Sequence, residues 1–125
     1  MGFQIIGESL NVIGKEIGRG FRERDPKPIQ AEALYQKSKG VDWIDINLGP
    51  AKKDGAELMP WVVEVVQEVV DDIPLVLDTS NIDAIAAALP KCKLPPMINS
   101  IMAVPARYER MIPLAAEHNA HFCAL

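Results

Sequence analysis

Apolar residues along the chain fall into five short runs, each bounded by polar or turn-forming residues, and these runs predict β-strands. Residues 75–77 are apolar without a break, which is typical of a strand buried on both faces. Residues 43–48 alternate instead, which puts Asp45 and Asn47 on one face of their strand and the apolar neighbours on the other. The predicted strands cover residues 3–6, 43–48, 74–78, 96–100 and 121–125.

Helical periodicity fills the intervals between these runs. Asp25 predicts an N-cap, Pro26 takes the first helical position where its missing N–H costs nothing, and Gly40 ends the helix. Between residues 56 and 70, apolar residues recur at the spacing of a helix packed on the outside of a sheet. The predicted helices cover residues 25–39, 56–70, 81–89 and a stretch beginning at residue 105.

Prolines, capping residues and glycines add finer expectations. Ser80 and Asp83 have the S-x-x-D spacing of a capping box. Pro60 is expected within the first turn of its helix, and Pro113 is expected to kink or end the last helix early. Residues 12–24 are rich in glycine and charge and predict a solvated loop.

The alternation of strand and helix predicts an α/β fold with a parallel sheet, either doubly wound or a (β/α) barrel. A dinucleotide-binding doubly wound sheet carries G-x-G-x-x-G after its first strand, and the chain has only Gly7-Glu8-Ser9 there. The barrel is favoured because several strands finish in an acid or an amide, which would converge on one rim. A complete barrel takes about 250 residues. Residues 1–125 therefore predict one domain, the N-terminal part of a barrel, with about five parallel strands and outer helices.

Polar side chains at the strand ends are the candidate site. Carboxylates accept pairs of parallel N–H bonds, and amides offer a donor beside an acceptor. Such a set fits a planar heterocycle with an amino-amide edge, and it fits sugars more loosely. The strand-end residues are Glu8 and Asn11 for the first strand, Asp45 and Asn47 for the second, Asp78 for the third and Asn99 for the fourth.

Composition excludes several function classes. The formal charge is −4 and the isoelectric point is near 5.1, which argues against nucleic acid or an anionic membrane as a partner. No apolar run approaches the roughly 18 residues of a membrane span. Cys92 and Cys123 form no C-x-x-C and predict free thiols in a reducing cytoplasm. His118 and His121 lack the further ligands of a metal site, so no metal is expected.

Four motifs in register resemble a known family. These are GESLN at residues 7–11, DINLGPA at 45–51, LDTSN at 77–81 and MINS at 97–100. Together they resemble the pterin-binding methyltransferases, most closely those that act on methyltetrahydrofolate and a corrinoid/iron–sulfur protein. Dihydropteroate synthase is a more distant cousin.

The resemblance implies a TIM barrel that binds its pterin at the C-terminal rim of the strands. Asp78 and Asn99 match the family's pterin-binding Asp and Asn, and Asp45, Asn47, Glu8 and Asn11 match residues of the pocket wall. The implied reaction moves a methyl group between methyltetrahydrofolate and the cobalt of a corrinoid (cobalamin) carried by a partner protein. In the family a further Asp and the Asn that acts on the reacting nitrogen come from later strands, so the catalytic residue is unknown here.

A chain that provides part of a barrel leaves its outer strands unpaired, which favours self-association or pairing with the missing barrel half. Activity of the 125 residues alone is therefore an open question. Two alternatives stay open beside the methyltransferase: a non-catalytic pterin-binding or assembly half-barrel, and a fragment of an enzyme like dihydropteroate synthase.

Overall fold

The computed structural model describes residues 2–125, which form a parallel sheet with helices between successive strands. The five strands lie side by side in chain order, and every neighbouring pair is parallel. The elements are β1 (Ile6–Asn11), α1 (Lys15–Glu23), α2 (Pro26–Ser38), β2 (Trp43–Gly49), α3 (Gly55–Gln67), β3 (Leu75–Thr79), α4 (Ile82–Ala88), β4 (Met97–Ile101), α5 (Pro105–Glu117) and β5 (His121–Ala124), with a short 3₁₀ turn, Leu89–Lys91, after α4.

The sheet bends toward one face, as the wall of a barrel does. The rings of Trp43 on β2 and His121 on β5 meet edge to face, with centroids 5.8 Å apart. Two strands lie between β2 and β5, so three strand spacings separate them, about 14 Å in a flat sheet. The rings meet because both project from the concave face. The predicted parallel α/β fold is confirmed, and the sequential strand order is that of a barrel arc rather than a doubly wound sheet.

The convex face of the sheet packs against the helices and forms the core. Ile44 and Ile46 of β2 are fully buried, and Asp45 between them projects to the concave side, as the alternation predicts. On α3 the predicted apolar stripe is also confirmed, since its members Val62, Val65 and Val66 are buried. This layering leaves the polar strand-end residues on the concave face, opposite the helices.

Two predictions near the N-terminus are wrong. The first strand is Ile6–Asn11 rather than residues 3–6, so Glu8 and Asn11 lie on the strand and not after it. The predicted loop contains the helix α1, whose Ile17 and Phe21 are buried in the core. Its glycines serve close packing instead of a loop: a Cβ on Gly18 would lie 2.3 Å from the carbonyl oxygen of Val12.

Helix ends and prolines differ from the predictions in detail. Asp25 caps α2 as predicted, by accepting from the N–H of Lys27. The cap of α4 is Asn81 and not Ser80, because the Asn81 side chain accepts from two N–H groups of the first turn. Pro60 lies in the second turn of α3, where only one helical bond is lost, and Pro113 lies inside α5 without ending it.

The outer strands of the described sheet have a neighbour on one side only. Next to β5 lies an apolar groove of about 320 Å³, which we call the β5 groove. Its lining residues are Ile101, Met102, Ala103, Tyr108, Ile112, Phe122 and Ala124. No helix within residues 2–125 is long and apolar enough to cross a membrane.

Candidate functional site

The strand register places Asn47, Asp78 and Asn99 in one row across three strands. Asn47 of β2 pairs with Asp78 of β3, and Asp78 pairs with Asn99 of β4. The Oδ2 atom of Asp78 accepts from Asn47 Nδ2 at 2.7 Å and from Asn99 Nδ2 at 3.5 Å. One carboxylate oxygen is therefore held between two amides. Within residues 2–125 no protein donor bonds Asp78 Oδ1, so this oxygen can accept from a ligand.

The amide of Asn47 is fixed at both ends. Its Oδ1 accepts from the N–H of Gly49 at 2.8 Å, and its Nδ2 donates to Asp78. Gly49 has a φ of +60°, a conformation that glycine adopts without strain and that turns its N–H back toward Asn47. Asn47 therefore orients Asp78, and its own capacity to contact a ligand is reduced.

Asp45 lies one pleat deeper than this row and is only 3% exposed. Burial, and after it the nearby charge of Asp78, raise the pKa of Asp45 to about 7. The side-chain amide of Asn99 opposes this rise, and the charge of Glu8 adds to it. Asp45 is therefore a carboxyl group that exchanges its proton near neutral pH.

Asp78 is perturbed in the same direction. Burial raises its pKa first, the charge of Glu8 adds to the rise, and the hydrogen bond from Asn47 opposes it. The charge of Glu8 thus acts on both Asp45 and Asp78 across the concave face, and the charge of Asp78 acts on Asp45. Such an acidic surface favours ligands that carry several N–H donors or a positive charge.

A cavity of about 260 Å³ opens beside this row. Asp78 and Asn99 line it, so the structure brings these two predicted residues together at one opening. Sequence reasoning missed its other lining residues. They are Thr79, Ser80, Ser100, Met102, Arg107 and Leu125. One feature of the sequence could have identified Arg107 as a site residue. It is a cation in the first turn of α5, a position where helices favour acidic residues.

The two predicted site residues of β1, Glu8 and Asn11, differ in how closely they approach the row of Asp78. Glu8 is exposed, yet it lies near enough to Asp45 and Asp78 to raise the pKa of both. Asn11 accepts through Oδ1 from the N–H of Ile13 at 3.0 Å, a local turn that connects β1 to α1. Asn11 makes no hydrogen bond to the row of Asp78 in the described residues. The structure therefore groups Glu8 with the site more closely than Asn11.

Other chemistries find little support in the described residues. No group of three or more His, Cys, Asp or Glu residues between positions 2 and 125 could hold a metal ion. Cys92 and Cys123 are free thiols, and burial raises the pKa of Cys92 to about 12, so its thiol is a poor nucleophile. The polar row on the concave face is the stronger candidate site.

Asp45→Asn should change how stability depends on pH. The raised pKa means that the folded chain keeps the Asp45 proton between the ordinary value of 3.8 and about 7, whereas the unfolded chain releases it. The folded state therefore binds more protons in this window, and its Asp45-dependent stability is lost as pH rises through it. We expect Asn, which is always neutral, to stabilise the fold at pH 8 by on the order of a few kcal/mol relative to wild type.

Urea unfolding at about pH 5 and about pH 8 measures this difference. The exposed change Glu109→Gln on α5 is the control and should follow the wild-type pH profile. Identical pH profiles for Asp45→Asn and wild type would show that Asp45 ionises normally in the folded chain.

Known protein sequences resemble this chain over most of its length. Residues 7–125 match the family model described as pterin binding enzyme. Over 110 residues the chain is 31% identical to a methylcorrinoid:tetrahydrofolate methyltransferase of Eubacterium limosum, an alignment that covers 88% of this chain. The chain spans 40% of that relative's length. It belongs to the pterin-binding enzyme family.

Proposed function

We propose that this chain forms the N-terminal part of the pterin site of an enzyme that transfers a methyl group between methyltetrahydrofolate and the cobalt of a protein-bound corrinoid. The observation that carries the proposal is the Asp78 carboxylate, fixed by Asn47 and Asn99 at the ends of three parallel strands. The printed name of the relative, which pairs a methylcorrinoid with tetrahydrofolate, supports the choice of reaction.

Recognition follows from the hydrogen-bonding groups that the row presents. The edge of a pterin carries an amino group and a ring N–H beside a carbonyl oxygen. Asp78 Oδ1 has no protein donor among the described residues and can accept from such N–H groups, while Asn99 offers both a donor and an acceptor. Bonds to a charged acceptor contribute about 1.5–3 kcal/mol each, so Asp78 would supply much of the ring's binding energy.

The acidic face also suits the chemistry of the methyl group. When methyltetrahydrofolate gives up its methyl, the departing ring nitrogen gains a proton, and in the reverse direction the nitrogen loses one. Glu8 and Asp78, joined by Asp45 once it has released its proton, stabilise positive charge on a ring held against them. The task of these residues is to hold the ring and exclude water, and the catalytic Asn implied by the resemblance belongs to later strands.

We further propose that additional strand–helix units of a barrel cover the open edges when the enzyme works. The β5 groove is lined entirely by apolar side chains or small ones, and Ile112 and Phe122 are both more than 40% exposed. The strand order and curvature of the sheet are those of part of a barrel. This chain spans only 40% of the length of the Eubacterium limosum relative, which therefore has room for the remaining strand–helix units. The occupant would be the next parallel strand with its helix.

Asp78→Asn and Asn99→Ala should each weaken binding of methyltetrahydrofolate by at least about tenfold, because each removes a bond to the ring. Titration calorimetry with the purified chain measures this, and Asp83→Asn, which changes an exposed carboxylate on α4, is the control. Methyl loss to a reduced corrinoid, measured in parallel, separates an enzyme from a binding module.

Equal affinity in wild type, Asp78→Asn and Asn99→Ala would contradict the proposed site. Saturable binding without methyl transfer would show that these residues form a pterin site without supplying the catalytic group, as expected of either an N-terminal part or a non-catalytic half-barrel. Binding and methyl transfer that wild type shows and Asp78→Asn loses would support the methyltransferase.

The purified chain should self-associate through the β5 groove when no barrel remainder is present, because the groove exposes apolar area at an unpaired strand. Sedimentation equilibrium should show dimers, and Ile112→Lys with Phe122→Lys should weaken association at least about tenfold by burying charge. Tyr35→Lys, an exposed aromatic on α2 outside the groove, is the matched control. A monomer at every concentration would contradict the pairing proposal.

A further inference from the structure

We propose that Arg107 is a specificity-determining residue that donates to the carbonyl oxygen of the pterin ring, an inference that rests on the proposed function. Arg107 stands in the first turn of α5 and lines the same cavity of about 260 Å³ as Asp78 and Asn99. None of the four sequence motifs includes it.

The guanidinium of Arg107 is anchored at one point. Its Nη1 donates to the carbonyl oxygen of Ser80 at 2.7 Å, which ties α5 to the segment that follows β3. Its Nε is buried and has no hydrogen-bond partner among the described residues. Buried polar groups are nearly always paired, so this arrangement leaves the guanidinium with unused donor capacity.

Arg107 also lacks a counter-ion in the described part of the chain. Two other arginines differ: Arg110 on the same helix pairs with Asp83, and Arg19 on α1 pairs with three acids. A cation that lines a cavity without a carboxylate partner is suited to bind an acceptor brought by a ligand.

The chemistry of the cavity identifies that acceptor. Asp78 accepts only, so it takes the N–H groups of an amino-amide edge, and the carbonyl oxygen beside them needs a donor. The Thr79 hydroxyl already donates to the carbonyl oxygen of Gly49 at 2.5 Å. Arg107 is the one cation that lines the described cavity, and arginine donates through several N–H groups in a fixed plane. Asp78 would accept from the N–H groups of the ring edge, and Arg107 would donate to the carbonyl oxygen of the same edge.

The test compares two ligands that differ at this one group. One is a pterin, whose ring carries an amino group beside the carbonyl, and the other is its diamino analogue, in which a second amino group replaces the carbonyl. Arginine cannot accept from that amino group, so wild type should prefer the pterin by at least about tenfold. Calorimetry at a pH where both ligands are neutral, so that the diamino ring is unprotonated and the pterin keeps its ring N–H, measures both affinities.

Arg107→Met should reduce this preference to less than about threefold, because the guanidinium that donates to the carbonyl oxygen is removed. Arg110→Met removes a cation from the same helix outside the cavity and should keep the wild-type preference. If Arg107→Met does not fold, Arg107→Gln decides instead: its side-chain amide carries an acceptor as well as donors, so it can accept from the second amino group, and the preference should again fall below about threefold.

A preference that stays near tenfold in the Arg107 variant, with both ligands weakened alike, would overturn the proposal and leave Arg107 as a structural tie to Ser80. A wild-type chain that binds both ligands equally would overturn it as well. These results are distinct from failure of the proposed function, in which wild type binds neither ligand or Asp78→Asn binds as well as wild type.

Discussion

The candidate site depends on one interaction, the hydrogen bond at 2.7 Å from the Asn47 amide to the carboxylate of Asp78. It forms because parallel pairing sets Asn47 opposite Asp78, and because Gly49 fixes the other end of the Asn47 amide. The same pairing sets Asn99 on the far side of the carboxylate. A shift of one residue in either strand would send these side chains to the helix layer. The core packing that fixes register therefore also builds the site.

The concave face concentrates negative charge, and this charge works against folding. Burial and the charge of neighbouring carboxylates raise the pKa of Asp45 and of Asp78, so at neutral pH a proton on Asp45 relieves part of this energy. A ring with several N–H donors would relieve it further by satisfying the carboxylates. Sites that bind or react commonly break the rules that stabilise the rest of a protein, and this conflict makes the concave face the candidate binding face.

The sequence predicted the parts of the fold whose signals are local. The alternation around Asp45 gave the right faces for β2, and Asp25 with Pro26 gave the start of α2. It failed at α1, where glycine indicates a loop by propensity although Gly18 is needed for contact with Val12. It also missed Arg107, because only the folded chain brings the first turn of α5 to the end of β3.

If Asn47 and Asn99 flank the carboxylate that receives the ring, both side-chain amides must respond to the ligand. Titration of the chain with a tetrahydropterin, followed by NMR of the side-chain amide groups, measures this response. We expect the Nδ2 resonances of Asn99 and Asn47 to shift together and saturate with one affinity, and the resonance of Asn119, on the loop before β5, to stay unchanged. Saturating shifts elsewhere, with Asn47 and Asn99 unchanged, would contradict the proposed site.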